Sequence, residues 1–152
     1  MKYRKMLLST LLFTSLAMAE GVEVQPAATQ SVTAGDARYF SGNVTVSSRF
    51  QRPSPARVGG GVVTFAPAAR TAWHTHPLGQ TLLVTSGSGW VQEWGKPARK
   101  IAAGDTVWIA PKVKHWHGAS VQQGMSHLAI SEQLEGETVT WMEKVADRDY
   151  PR

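Results

Sequence analysis

W-H-T-H-P-L-G-Q at residues 73–80, read together with K-H-W-H-G at residues 114–118, decides the architecture of this chain. The two stretches gather four of its five histidines into short clusters. In an extended strand successive side chains alternate faces, so His74 and His76 point one way, and so do His115 and His117. Two rigid strands carrying such pairs can aim three or four imidazoles at one point. Imidazole suits the borderline transition metals, and a carboxamide or carboxylate oxygen commonly completes such a shell, a place open to Gln80. The pattern predicts a metal site on strands, with three or four of His74, His76, His115 and His117 as its donors and Gln80 as a further candidate.

Outward from these clusters the sequence keeps the same extended character. Short runs rich in Val, Ile, Thr and Trp, punctuated by Gly and Pro, cover residues 43–50, 57–65, 80–86, 89–94, 100–102, 106–109, 113–119 and 126–133. Strands at that spacing predict an all-β sandwich or barrel. Gly87-Ser88-Gly89 and Ala103-Gly104-Asp105 read as tight turns, because glycine supplies the positive φ that hairpins need. Residues 139–150, with Met142, Val145 and Ala146 on one side, read as a short closing helix. There are no internal repeats, so one barrel domain is expected over 39–152. The polar stretch before it, rich in alanine, glutamine and threonine, reads as a flexible arm over 20–38.

Residues 1–19 have the three parts of an export leader: a basic start with Lys2, Arg4 and Lys5, an apolar run over 6–16, and the small-x-small ending Ala17-Met18-Ala19. The run is too short to span a bilayer as a retained helix. Export to the periplasm or the medium is therefore expected, with the mature chain starting near Glu20. Removing the leader takes three of the sixteen basic residues and none of the eleven acidic ones, and the net charge falls from +5 to +2. The remaining Lys and Arg are scattered, which excludes a nucleic-acid or anionic-membrane partner and leaves a small-molecule substrate. With no cysteine in the chain, disulfides, thiolate ligands and a cysteine-linked lipid anchor are also excluded.

On these motifs the domain resembles the cupins, small double-stranded β-helix or jelly-roll barrels. Their first motif is matched by His74, His76, Gln80 and Gly87, with Ala68 near the expected leading glycine. Their second is matched by Gly104 and His115, with Ala110 and Lys112 where proline and glycine are expected and Ala119 in place of asparagine. A narrower resemblance runs from about Phe40 to the C-terminus. V-T-F-A-P-A-A-R-T-A-W-H-T-H-P-L-G-Q-T-L-L-V-T, K-H-W-H-G-A, M-S-H-L-A-I and W-M-E-K-V are similar to the manganese-dependent cupin hydroxynitrile lyases and their relatives. That resemblance implies a metal held by His74, His76, Gln80 and His115, and proton transfer by His117 and His127. It implies manganese, while the donor types alone leave iron, nickel and zinc open.

Three neutral imidazoles and a neutral carboxamide leave a divalent ion its full charge, which favours anionic ligands and Lewis-acid chemistry over oxygen activation. The expected function is cleavage of a cyanohydrin to an aldehyde and HCN. The alternatives are an iron-dependent dioxygenase or decarboxylase acting on a small carboxylate or enol, and a non-catalytic module that binds a metabolite through its metal. A homodimer or homotetramer is expected, because barrel edge strands are closed by a partner. The tryptophans are expected in the core or an interface, with Trp108 or Trp73 as pocket walls. Arg57 and Arg70 are expected to make surface hydrogen bonds.

Overall fold

The structure, a computed structural model, describes residues 21–151. The expected leader lies outside the described residues. No helix among the described residues is long and apolar enough to cross a membrane.

The β-branched and aromatic runs form β1 (Thr33–Ala34), β2 (Phe40–Ser41), β3 (Val44–Gln51), β4 (Val58–Phe65), β5 (Arg70–Thr71) and β6 (His74–Thr75). They continue as β7 (Gln80–Glu93), β8 (Arg99–Ala102), β9 (Thr106–Ile109), β10 (His115–Ala119), β11 (Met125–Glu132) and β12 (Thr140–Trp141). All pairings are antiparallel and form two curled faces that share β7. On the first face β1, β3, β4, β11, β7 and β9 are neighbours in that order. On the second, β2, β5, β10, β7 and β8 follow one another, with β6 beside β10 and β12 beside β6. This is the expected all-β barrel. Its strands and turns differ from the sequence reading in three places, and one side chain, Arg70, in a fourth.

Gly87-Ser88-Gly89 is a corner and not a turn. β7 runs through it unbroken, leaving the first face and entering the second. Gly87 has φ 73°, and a Cβ there would stand 1.9 Å from Gly124 O; a Cβ at Gly89 would stand 2.0 Å from Gly118 O. Glycine signals positive φ or close backbone approach, and both occur at a strand that bends as well as at a hairpin. Ala103-Gly104-Asp105 is a turn as expected, with Gly104 at φ 96°.

Residues 139–150 do not form the expected helix. Thr140 and Trp141 pair with Thr75 and His74, the chain stays extended, and only Asp147–Asp149 closes a 3-10 turn. The helical periodicity there is weak and lacks a capping side chain. The free edge of β6 offers main-chain hydrogen bonds, and the Trp141 indole finds an aromatic partner in Tyr39 at 4.8 Å. Tertiary pairing outweighs so small a helical preference.

The arm also contributes to the barrel: Thr33 pairs with Val46 and Ala34 with Thr45. Main-chain pairing on an open edge needs no apolar pattern, so composition alone hid it.

Between the faces lies a core built on Phe65, Val84, Ile101, Met125 and Val44. Alternation along β10 sends Trp116 to the other side, where it packs with Trp73, Val145 and Tyr150 under the C-terminal segment. Arg70 is buried rather than on the surface. Its guanidinium donates to Asp147 Oδ1 at 2.5 Å and Val145 O at 3.1 Å and lies over the Tyr150 ring, so it fastens that segment. Arg57 stays on the surface and pairs with Glu132.

Candidate metal centre

Each donor expected from the sequence comes from a different strand end, and the barrel brings them to one end of its interior. β6 supplies His74, the turn after it His76, β7 its first residue Gln80, and β10 both His115 and His117. β11 supplies His127. The cross-strand partners His115 and His74 stand with ring centroids 4.2 Å apart. All six side chains are buried. A cavity of about 910 Å³ opens onto His74, His76, Gln80 and His117, while His115 and His127 stand behind them.

The backbone fixes the tautomers. Nδ1 of His74 donates to Ala72 O at 2.9 Å, Nδ1 of His115 to Val113 O at 2.9 Å, and Nδ1 of His76 to Thr138 O at 2.6 Å. A carbonyl can only accept, so in all three neutral rings the proton sits on Nδ1 and Nε2 presents a lone pair. Carbonyl partners of this kind orient and strengthen imidazole ligands. The Ser131 hydroxyl stands 3.3 Å from the same nitrogen of His76.

Burial holds His74, His76 and His117 below the usual imidazole range, more than any neighbouring charge does. It pushes His115 and His127 down to about 4. The rings are therefore neutral donors at neutral pH. Gln80 Oε1 lies 3.2 Å from His115 Nε2, so two acceptor lone pairs face each other. The Nε2 atoms of His76 and His117 are buried with no hydrogen-bond partner. Converging lone pairs without protons between them fit a cation. Donor atoms of His74, His115 and His117 lie within 4.8 Å of one another and could hold a metal ion.

His117 has a second contact. Its Nδ1 and His127 Nε2 are 3.0 Å apart, and His127 is packed against Phe65 with ring centroids 5.4 Å apart. His127 Nδ1 has no partner. With the shared proton on His117 Nδ1, donated to His127 Nε2, His117 Nε2 presents a lone pair to the cavity.

The expected aromatic walls are elsewhere. Trp108 is 62% exposed, and Trp73 is buried against Trp94, while Lys114 Nζ sits 3.6 Å from the Trp94 ring centroid. The cavity is walled instead by Trp141, Tyr39 and Phe40, with Trp141 4.8 Å from the His74 ring. Sequence reasoning missed these because they come from the first residues of the barrel domain and from the tail. The tail's clamp on His76 is a carbonyl, which leaves no mark in a sequence.

Histidines and a glutamine gathered inside a double-stranded β-helix define a cupin, and the chain belongs to that family: the Cupin domain family matches residues 61–130. Among its relatives, the (R)-mandelonitrile lyase of Granulicella tundricola is 51% identical over 131 residues, covering 86% of this chain and 100% of that protein. A cupin-like protein from Thermotoga maritima is 40% identical with a TM-score of 0.73, covering 78% of this chain and 90% of that one. A cupin-2 domain protein from Rhodospirillum rubrum shares the fold at 13% identity and a TM-score of 0.62, over 84% of this chain and 82% of that one.

Proposed function

We propose that this chain is a metal-dependent lyase that cleaves and forms cyanohydrins. What carries the reading is its 51% identity to a protein named (R)-mandelonitrile lyase across that protein's full length. The donor set supports it. His74, His76, Gln80 and His115 would hold a divalent transition ion, manganese first, and the bound ion would supply Lewis-acid stabilisation of developing negative charge.

His117 has a donor atom within 4.8 Å of those of His74 and His115, but its contact with His127 favours a role in proton movement. In the cleavage direction His117 Nε2 takes the hydroxyl proton of the cyanohydrin. The C–CN bond then breaks, cyanide leaves with the electron pair, and the proton is returned to give HCN and an aldehyde. His127 Nε2 holds His117 Nδ1 and shares the charge that builds on the pair. Neutral buried imidazoles can do this near neutral pH, since neither starts protonated. The Trp141, Tyr39 and Phe40 wall accepts an aryl group.

Elemental analysis of the purified protein followed by an anaerobic assay with mandelonitrile tests the proposal. The expected result is one transition-metal ion per chain and release of benzaldehyde without oxygen. A metal-loaded protein that consumes oxygen, or that binds mandelonitrile without releasing benzaldehyde, would overturn it.

A further inference from the structure

We propose that Arg49 is a specificity residue that binds an anionic group, a carboxylate, on the aromatic substrate at the end remote from the histidines. The inference rests on reading the large cavity as the substrate site.

Regular alternation along β3 would turn residue 49 outward, since Val44 and Val46 face the interior. The pairing with β4 shifts register between Ser47 and Phe50, and Arg49, though exposed to solvent, lies over the inner-facing Gly61 at the cavity rim. Ser48, inside that irregularity, has φ 50°, a strained conformation for a residue with a Cβ. Bulges beside active sites re-aim side chains, and strain held next to a cavity points to a functional demand. Here the side chain re-aimed is Arg49. Its stem lies over Gly61, whose Cβ, if present, would stand 3.3 Å from Arg49 Cγ. Arg49 borders the cavity as a result.

Its charge has no counterpart. Arg49 makes no ion pair among the described residues, unlike Arg38, Arg57 and Arg70. Besides the neutral histidines, the charged side chains on the cavity wall are Asp36 and Arg49, and Asp36 is neutralised by Arg38 at 2.6 Å. On its other side Arg49 borders a hollow of about 260 Å³ lined otherwise by the uncharged Gln25, Thr29, Gln30 and Ser31.

The spacing along the sheet leaves room for an aromatic ligand between the two ends. β3 stands three strands from β7, which carries Gln80, roughly 14 Å along the curved sheet at the usual strand separation. An arginine side chain spans part of that distance, and a benzene ring bearing a reactive carbon and a carboxylate at opposite ends spans the rest. The cavity of about 910 Å³ is far larger than mandelonitrile alone needs.

Calorimetric titration of the purified full-length protein with 4-carboxybenzaldehyde and with benzaldehyde tests this without requiring turnover. Wild type should bind the carboxylated aldehyde about tenfold more tightly, as expected for a charge-assisted pair. The ratio should collapse toward one in Arg49→Gln and be partly kept in Arg49→Lys, which retains the charge without the bidentate fork. A wild-type ratio near one, or an unchanged ratio in Arg49→Gln, would overturn the assignment. Charge preference without mandelonitrile cleavage supports Arg49 and counts only against the lyase reading. Cleavage without charge preference removes Arg49 and leaves that reading standing.

Discussion

Every imidazole that faces the centre has one nitrogen committed elsewhere, so the site is set by what lies behind it as much as by the donors. Burial of His115 and His127, to about 4 from an ordinary 6.5, gives the metal-free protein a defined acid response. The unfolded chain binds these protons at about pH 6.5 and the folded chain resists them until about pH 4, so stability is complete above pH 6.5 and is lost as pH falls toward 4. Each ring should contribute about 1.4 kcal/mol per pH unit across that window. Urea unfolding of the metal-free protein at stepped pH should show the slope, and His127→Asn should flatten it by about one ring's share. A second prediction separates the roles of the histidines. His115→Ala should lose both metal and turnover, whereas His117→Ala and His127→Ala should keep the metal and lose turnover by about 100-fold or more, the usual scale of acid–base catalysis. Metal content and mandelonitrile kinetics on the same preparations decide it. The spacing of the two histidine clusters was enough to foresee their convergence, because strand alternation is rigid. The facing of His127 was not foreseeable from spacing, since it depends on a register shift between β11 and β7 at Ser126 and His127.

At the scale of elements, two departures from the cupin motifs carry a structural cost. Ala68 and Lys112, which stand near expected glycines, have φ values of 65° and 63°. The backbone keeps the left-handed turn that the motif glycines serve, with Lys112 N donating to His76 O at 2.8 Å. A side chain there is strained by about 1–2 kcal/mol, while glycine would add flexibility to the unfolded chain worth about 0.4–1 kcal/mol. Lys112→Gly should therefore stabilise the protein by roughly 0.5–1 kcal/mol, read as a higher melting temperature with unchanged metal content; a lower melting temperature would contradict the strain argument. The opposite change is severe. A Cβ at Gly118 would meet Ala69 O and Arg70 Cβ at 2.5 Å, and both lie in the segment that pairs with β10. The elements legible in the sequence were those with period-two burial, such as β4 and β11. What stayed hidden was governed by partners distant in sequence: the unbroken course of β7 through its glycine corner, the strand in the arm, and the extended tail.

For the whole molecule, the C-terminal segment works as a strap in two parts, and truncation should separate them. Beyond residue 144 lie Val145, Asp147 and Tyr150, which cover Trp73 and Trp116 and answer the buried charge of Arg70; the Tyr150 hydroxyl also donates to Ala119 O. Losing two buried side chains costs about 1.5–3 kcal/mol each, before the unpaired guanidinium is counted. That is a large part of the 5–15 kcal/mol that holds an ordinary domain together. A chain ending at residue 144 should thus melt at a much lower temperature, yet it keeps Thr138 and Trp141 and should bind metal normally when folded in the cold. A chain ending at residue 137 additionally loses the carbonyl that orients His76 and the indole against His74. Removing such an orienting partner typically weakens metal binding about 10–100-fold. Metal titrations of the two truncated chains at low temperature give the comparison. If both bind metal equally, the tail only shields the second core, and His76 is held by something other than Thr138.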